Sequence, residues 1–459
     1  MRDEGVELPL MGCRLGEVRR ALKLFFLFAL LPFFLAPSCK PHPAPKKLTL
    51  VPPSNLTAAA ITTTRIDLAW SLVPLDATGL EIDRNVDGGI FVPLVTLPAN
   101  QINYSDLGLT PCTRYGYRIR SVNGAQVGAW SPDVFANTIV VSPVTTSGTP
   151  TPPTARMGHS AIYDAVGNQM LVFGGNTGAG LTDELWILDL GANAWSMVPY
   201  TGLWPAPRMN HSAILDPTNN RMIVFGGFDG TELDELWSLD LSLLTWSVLT
   251  NGGGPAPRLA HTSVFDPVNQ QMILFGGMDA GFSYNDVWAL TLPPPPSPLN
   301  PSVWTDITPA IPGPLVRSGH SMVYDPIVQR VIVFGGRDIY LGGSPSYSDT
   351  WELSLAGTPA WSPITAAGGP TARFGHSAVM NGTRMMVFGG FPGSPSAEMR
   401  QLNLGGSSTW SPVTLGTPAP AGRLGHTAVF KASNSTMTLF GGGTAPSTPA
   451  FADVWQFGM

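Results

Sequence analysis

The sequence predicts an all-β protein in which a small β-sandwich precedes a ring of six similar sheets. The first observation is a segment of about 50 residues that recurs six times. Each copy has an arginine, a histidine three residues later and a strand-like run ending in Phe-Gly-Gly. The second is that one copy divides into four strand-like pieces. The third is an alternating apolar and polar pattern ahead of the repeats, which is typical of half-buried strands.

The N-terminal segment 1–39 has the pattern of an export signal. A basic stretch from Arg14 to Lys23 precedes an apolar run from Leu24 to Leu35, which is shorter than the roughly 20 residues of a membrane span. The small residue before Cys39 resembles the processing site of a bacterial lipoprotein, although Pro37 departs from that pattern. Two outcomes stay open, lipid attachment at Cys39 and cleavage with release. Both place the mature protein outside the cytoplasm, as an outer-membrane or cell-surface lipoprotein or as a periplasmic or secreted protein.

A Pro-rich linker, 40–53, leads to a predicted sandwich at 54–138. Ile66 to Trp70 alternates as a half-buried strand does, and Asp87-Gly88-Gly89 marks a hairpin turn. The segment resembles a fibronectin type III domain. Trp70 matches the core tryptophan of that family, and Leu109 with Tyr115 matches its tyrosine corner. The resemblance implies a spacer or an adhesive module.

The second repeat shows most clearly how one copy forms a sheet. Its strand-like pieces are His211 to Leu215, Met222 to Phe225, Leu236 to Leu241 and Trp246 to Leu249. Four antiparallel strands of this length form one blade, which is unstable alone because its faces need neighbours to cover them. Closing the blades into a ring covers those faces and leaves only short edges.

The repeats resemble kelch repeats, which carry a double glycine after the second strand and two aromatic residues further on. The matching tryptophans of the first four copies are Trp186 and Trp195, Trp237 and Trp246, Trp288 and Trp304, and Trp351 and Trp361. The fifth copy has only Trp410, at the second position, and the sixth has only Trp455, at the first. The resemblance implies a six-bladed kelch-type β-propeller over 139–459. The fifth copy has Arg400 where a tryptophan is expected, so its blade should be packed most loosely.

The sixth repeat lacks its fourth strand, because the sequence ends after its third. Residues 140–146, before the first repeat, resemble the fourth-strand segment Trp410 to Thr414. We therefore expect 140–146 to be the closing strand of the last blade, since an unpaired edge there would promote aggregation.

The recurring polar residues are expected to build the fold rather than to act. Six histidines at one strand position are spaced round a ring axis, so no metal site is expected. The arginines and the acids two residues before the first tryptophan of a pair also recur once per copy. Paired charges within or between blades explain them best, whereas a functional site should break the symmetry. Phe-Gly-Gly provides positive φ and close backbone approach, and no lysine follows it as in a phosphate loop.

Composition excludes several classes of function. The net charge is -6, and Lys431 is the only lysine after Lys47, which argues against nucleic-acid binding. Of the three cysteines none lies in the repeats, so no disulfide framework is expected. That lack also excludes the tyrosine–cysteine cofactor of kelch propellers similar to galactose oxidase. No cofactor and no catalytic residue is predicted, and a membrane is contacted only through the possible lipid on Cys39.

The loops that vary between copies are the candidate binding surface. Strand alternation places the loop after each Gly-Gly and the loop before each arginine on one rim. Exposed aromatic and polar residues there suit a binding face. The candidates are Asn176, Trp204, Phe228, Asp229, Met278, Asp279, Arg337, Asp338, Tyr340 and Phe391.

Three functions follow from this layout. The first is a non-enzymatic, exported or surface-anchored module that binds a protein or a glycan on the rim. The second is a periplasmic sugar-modifying enzyme, because other six-bladed kelch proteins resemble sialic acid mutarotases; Arg337, Asp338 or Glu352 would then serve. The third is a structural protein of the cell envelope.

Overall fold

The computed structural model describes residues 50–459 except 63, 72–74, 111–112, 139, 149–150, 250, 293–301 and 406–407. The predicted leader 1–39, its Cys39 and most of the linker 40–53 lie outside the described residues. In the described part the chain is all-β, with one short 3-10 helix at Ala432–Asn434. No helix in that part is long and apolar enough to span a bilayer.

The first domain is a sandwich of two antiparallel sheets. Its strands are β1 Ser54–Thr62, β2 Arg65–Ser71, β3 Gly79–Val86, β4 Val92–Pro98, β5 Asn103–Leu107, β6 Arg114–Asn123, β7 Gln126–Val127 and β8 Val134–Asn137. One sheet has the order β1-β2-β5, and the other has β4-β3-β6-β7 with β8 also on β6. Trp70 and Tyr117 are buried between them. The tyrosine corner is confirmed, because the Tyr115 hydroxyl accepts a hydrogen bond from the Thr110 amide at 2.9 Å.

Six further sheets of four or five strands follow, one for each repeat, together with a two-stranded sheet in the sixth repeat. The strands up to the third sheet are β9 Val140–Val144, β10 Ser147–Gly148, β11 Ser160–Asp164, β12 Gln169–Phe173, β13 Leu185–Asp189, β14 Ala194–Met197, β15 Ser212–Asp216, β16 Arg221–Phe228, β17 Glu232–Asp240, β18 Thr245–Val248, β19 Asn251–Gly252, β20 Thr262–Asp266, β21 Gln271–Phe275, β22 Val287–Thr291 and β23 Ser302–Asp306. The remaining strands are β24 Ser321–Asp325, β25 Arg330–Phe334, β26 Thr350–Ser354, β27 Ala360–Pro363, β28 Ser377–Asn381, β29 Arg384–Phe388, β30 Met399–Asn403, β31 Thr409–Val413, β32 Thr427–Lys431, β33 Thr436–Phe440, β34 Gly443–Ala445, β35 Thr448–Pro449 and β36 Val454–Gly458.

Each sheet is an antiparallel meander built by one repeat. The second has the order β15-β16-β17-β18, and the first and third add a two-residue parallel strand, β10 and β19, at the outer edge. The sixth sheet has the order β32-β33-β36-β9. Its outer strand therefore comes from before the first repeat, and Val141 lies opposite Phe457.

The sheets are joined by a cycle of backbone hydrogen bonds, which we call the axial ring. Its members are Gly158, Asn210, Ala260, Gly319, Gly375 and Gly425. Each amide donates to the carbonyl of the member one repeat earlier at 2.7–2.9 Å, and Gly158 donates to Gly425, which completes the cycle. All six have positive φ. Four are glycine because that region is accessible to them without steric cost.

Neighbouring sheets also pack through their aromatic residues. Five of the six Phe-Gly-Gly phenylalanines contact the fourth-strand tryptophan of the next sheet; Phe173 and Trp246, for example, have centroids 5.0 Å apart. The sixth sheet has Val141 where the others have a tryptophan. Phe457, on the neighbouring strand, contacts Phe388 instead at 5.5 Å. The missing aromatic volume is thus supplied by the strand beside it.

The recurring arginines and acids form ion pairs within each sheet, as predicted. The pairs are Arg156–Glu184, Arg208–Glu235, Arg258–Asp286, Arg317–Asp349, Arg373–Glu398 and Arg423–Asp453, at 2.5–2.8 Å. The six guanidinium groups are almost completely buried. In the fifth sheet Arg400 contacts Glu398 at 2.6 Å and donates to the Gly368 carbonyl at 2.8 Å. Arg400 therefore shares the acid that a tryptophan contacts elsewhere.

The recurring histidines link each sheet to its neighbour. Every Nε2 lies 2.6–2.9 Å from a serine or threonine hydroxyl one repeat earlier, and His159 closes the series on Thr427. Burial, together with the positive charge of Arg156, lowers the pKa of His159 to about 3. The imidazoles are therefore neutral parts of the core.

Replacing Val141 by aspartate tests the contribution of β9. Val141 packs against the core of the sixth sheet, and a carboxylate there would lose its hydration without gaining a partner. We expect Val141→Asp to lower the free energy of unfolding by about 1–3 kcal/mol, measured by urea titration. Ser142→Asp is the control, because Ser142 is exposed on the same strand. Equal stability of the two variants would contradict the role of β9.

Candidate binding rim

Each Gly-Gly turn places the residue after it beside the residue that follows a repeated arginine. In the second repeat Phe228 and Met209 exchange backbone hydrogen bonds at 2.9 and 3.0 Å. Gly227 has φ 102°, and a Cβ on it would lie 2.8 Å from that of His211. Only glycine permits this close approach. We call the residues after the glycine pairs the rim residues: Asn176, Phe228, Met278, Arg337, Phe391 and Gly443.

Five of the ten predicted site residues are rim residues, and the structure places them at equivalent positions round the axial ring. Their bridge partners were missed by the sequence reasoning: Met157, Met209, Leu259, Ser318, Phe374 and Leu424. The available signal was their position, because each follows a recurring arginine and its identity varies. Met157, Phe374 and Leu424 form a buried apolar cluster against Phe391.

Arg337 differs from every other rim residue because it is charged. Its guanidinium carbon lies 3.8 Å from the centroid of Phe374. The side chain is half-buried, and burial lowers its pKa from the ordinary value. Among the described residues no acid forms an ion pair with it, whereas the buried Arg317 of the same sheet has Asp349. Arg337 thus presents an unpaired cation on an aromatic surface.

The loops beside Arg337 join the third and fourth sheets. Asp338 is buried and accepts hydrogen bonds from the Ser283 hydroxyl at 2.8 Å and the Tyr340 amide at 3.0 Å. The Tyr340 hydroxyl donates to the Asp279 carbonyl. Tyr340 is itself 43% exposed. Three predicted site residues are therefore brought together here, with Ser283 added by the structure.

Asp279 anchors the loop of the third sheet. It accepts the amides of Gly281 and Phe282, both at 2.7 Å, and the Tyr284 hydroxyl. Burial alone would raise the pKa of Asp279, but these hydrogen bonds hold it below its ordinary value. Burial and the Asp279 carboxylate raise the pKa of Tyr284 to about 12. Asp279 also lines a cleft of about 360 Å³ with Glu232, Pro257 and the exposed Phe282.

The other predicted site residues lie apart from this junction. Asp229 accepts hydrogen bonds from the amide and the hydroxyl of Thr231, both at 3.1 Å. Trp204 packs against Tyr200 and Trp246, and its Nε1 donates to the Asp183 carbonyl at 2.8 Å. These contacts give Trp204 a packing role between the first and second sheets.

Two sequence families match this chain. The fibronectin type III domain matches residues 51–137. The KLHDC2/KLHL20/DRC7 Kelch-repeats domain matches residues 178–294 and 298–459, which is more than half of the chain.

The chain belongs to the Kelch-repeat family.

Several curated proteins are similar to parts of the chain. Host cell factor 1 of Homo sapiens is 34% identical over 113 residues, 21% of this chain and 6% of that protein. Acyl-CoA-binding domain-containing protein 4 of Arabidopsis thaliana is 29% identical over 276 residues, 59% of this chain and 31% of that protein. Dynein regulatory complex subunit 7 of Chlamydomonas reinhardtii is 36% identical over 95 residues, 20% of this chain and 8% of that protein. The chain spans about a third or less of these relatives.

Among solved structures, the third fibronectin III domain of human KIAA0343 protein matches 22% of this chain and 92% of that domain, with 23% identity and a TM-score of 0.20. Kelch repeats and a fibronectin type III domain together point to a protein-interaction module.

Of the three residues considered for enzyme chemistry, Arg337 and Asp338 are adjacent, and Glu352 lies apart from them. Glu352 pairs with Arg330, which begins β25, whereas Arg337 follows the end of that strand. Asp338 is held by Ser283. The described residues contain no group of three or more histidine, cysteine, aspartate or glutamate side chains arranged to hold a metal ion.

Proposed function

We propose that this chain is an exported protein-binding module whose partner docks on the rim at the junction of the third and fourth sheets. The observation that carries the proposal is Arg337, the one charged rim residue. A half-buried guanidinium that forms no ion pair among the described residues has lost part of its hydration without compensation. A carboxylate from a partner would supply the compensation.

The surroundings of Arg337 define the chemistry of that partner. Phe374 covers one face of the guanidinium, and Met278 and Phe391 occupy the neighbouring rim positions. Exposed Tyr340 lies on the same loop. An acidic side chain flanked by apolar ones fits this surface, because the ion pair gains strength where apolar groups exclude water.

We further propose that the six sheets are the blades of one closed propeller. The axial ring supports this arrangement, since its hydrogen bonds return to the first repeat. A closed disc holds the rim residues at fixed mutual distances, so the partner meets a preorganised surface.

Export rests on the basic stretch and apolar run before Leu35, and surface anchoring rests on Cys39. Intact mass analysis of the protein purified from a bacterial host with a lipoprotein pathway tests both. A diacylglyceryl group on Cys39 is the expected result. A mature form that begins after Cys39 would support export but reject the lipid anchor. An unprocessed chain would contradict export.

A random peptide display library tests the rim. Selection on the wild-type protein is expected to enrich peptides that combine an acidic residue with aromatic or aliphatic ones. Arg337→Ala should lower the affinity for these peptides about tenfold or more, since charge-assisted hydrogen bonds to a carboxylate are lost. Arg65→Ala is the control, because Arg65 is a partly exposed arginine of the sandwich that is paired with Asp67. Enrichment unaffected by Arg337→Ala would reject this site, and binding seen only on a glycan array would favour a carbohydrate ligand.

A further inference from the structure

We infer that a polar cleft between the sandwich and the fifth sheet is a second binding site, for a small carboxylate that carries hydroxyl groups, such as an acidic monosaccharide. The cleft has a volume of about 230 Å³. It is independent of the rim. The inference depends on what the fifth repeat has lost compared with the fourth.

In the fourth repeat an arginine of the second strand is neutralised by two acids. Arg330 donates to Asp325 at 2.9 Å and also to Glu352. Asp325 ends the preceding strand, and Glu352 lies on the following one. This cation is therefore fully compensated within its own sheet.

In the fifth repeat both acids are replaced by amides. Arg384 occupies the place of Arg330, Asn381 that of Asp325, and Gln401 that of Glu352, as the strand pairing shows. The turn is also shorter: Asn381 and Arg384 are three residues apart, whereas Asp325 and Arg330 are five apart. The positive charge remains, but its partners within the sheet are gone.

The sandwich faces this arginine with one acid and a second arginine. Asp87 Oδ1 lies 3.6 Å from Arg384 Nη1 and accepts the Arg114 amide at 3.2 Å. The Arg114 guanidinium stacks over Phe135 at 3.9 Å. It forms no side-chain ion pair among the described residues. Burial first, and then the charge of Arg384, lower the pKa of Arg114, while Asp87 acts in the opposite direction.

Two guanidinium groups thus share one loosely placed carboxylate. The rest of the lining is neutral and can form hydrogen bonds through Asn381, Thr383 and Asn403. An added carboxylate would neutralise the excess positive charge, and sugar hydroxyls would suit the amide and hydroxyl groups. Sites between domains are a common place for small ligands.

Isothermal titration of the full chain with glucuronate tests the inference. We expect saturable binding of glucuronate, with no binding of glucose at the same concentrations. Asn381→Asp restores the acid that the fourth repeat has at this position. It should lower the affinity for glucuronate about tenfold or more, because the added carboxylate neutralises the excess positive charge. Val328→Asp makes the same charge change on an exposed residue of the corresponding turn of the fourth repeat and should leave binding unchanged.

Arg384→Gln is a second variant for which we expect the same loss of glucuronate affinity, in case Asn381→Asp does not fold. Thermal melting establishes which variants are folded. Absence of glucuronate binding to the wild type would overturn the site. So would unchanged affinity in folded Asn381→Asp or Arg384→Gln. Sulfate binding as tightly as glucuronate would overturn the acidic sugar as its ligand.

Discussion

Lowering the pH from about 7.5 to about 5.5 is expected to unfold the six-sheet region, because six buried histidines must stay neutral in the folded state. Burial lowers the pKa of His159, His261 and His376 to about 3 and that of the other three well below its ordinary value. In the unfolded chain each titrates near pH 6.5. The unfolded chain therefore binds more protons below about pH 6.5, and stability is lost as the pH falls toward the folded-state values.

The expected loss is large. Each histidine contributes about 1.4 kcal/mol per pH unit in this window, so six contribute about 8 kcal/mol per unit. Folded domains have only about 5–15 kcal/mol in total. Glu184, Glu235, Asp349, Glu398 and Asp453 act in the same direction: burial alone would raise the pKa of Asp349, for example, but the hydrogen bond from Arg317 lowers it. Their contribution is lost only below about pH 4.5.

Urea titrations at several pH values measure this dependence. Replacing one histidine, as in His376→Gln, should reduce the slope of unfolding free energy against pH by about one sixth. Because His376→Gln leaves every arginine-paired acid in place, any change of slope in this variant comes from the histidine. A stability that stays constant from about pH 7 to about pH 5 would show that the histidines are not held neutral.

Removing one buried arginine is the second change with a large expected effect. Arg317 is fully buried and donates to Asp349 through two bonds, both at 2.8 Å. It also bonds the carbonyls of Gly335 and Leu315. Arg317→Ala removes these hydrogen bonds, leaves the Asp349 carboxylate without its paired charge and opens a cavity, although the Trp351 indole still donates to Asp349. We expect a loss of about 3–5 kcal/mol of unfolding free energy, measured by urea titration.

Arg317→Lys separates the two causes of that loss. Lysine restores a charge and part of the volume, but it cannot form the planar pair of bonds to Asp349. An intermediate stability is expected for Arg317→Lys. A stability of Arg317→Ala within about 0.5 kcal/mol of the wild type would contradict the structural role of the repeated pairs.

The recurring part of the fold could be predicted because recurrence reveals which residues occupy equivalent positions. The pairing of the arginines with the acids followed from their equal frequency, and the four strands followed from the alternating runs. The axial ring could not be predicted in this way. Its members include Asn210 and Ala260 beside glycines and act through their backbones, so they share no side-chain signal.

The candidate sites were predictable only in part. Arg337 was predicted as one of ten candidate binding residues and was not distinguished from the others, because its unpaired state depends on which acids lie near it in space. The cleft at Arg384 depends on Asp87 and Arg114 of another domain, which no pattern within the repeats reveals. Trp204 was predicted as part of the candidate binding surface because aromatic residues in loops suit binding, yet its indole is held between packed side chains.

Measuring peptide affinity and unfolding free energy on Arg317→Ala and Arg337→Ala tests most directly whether repeated residues build the fold and the unpaired one binds. The two arginines belong to the same repeat, but one is buried in an ion pair and the other stacks on Phe374 unpaired. We predict that Arg337→Ala loses affinity for the selected peptides at unchanged stability, and that Arg317→Ala loses stability. The opposite pattern, or a loss of stability in both variants with binding intact, would contradict the account.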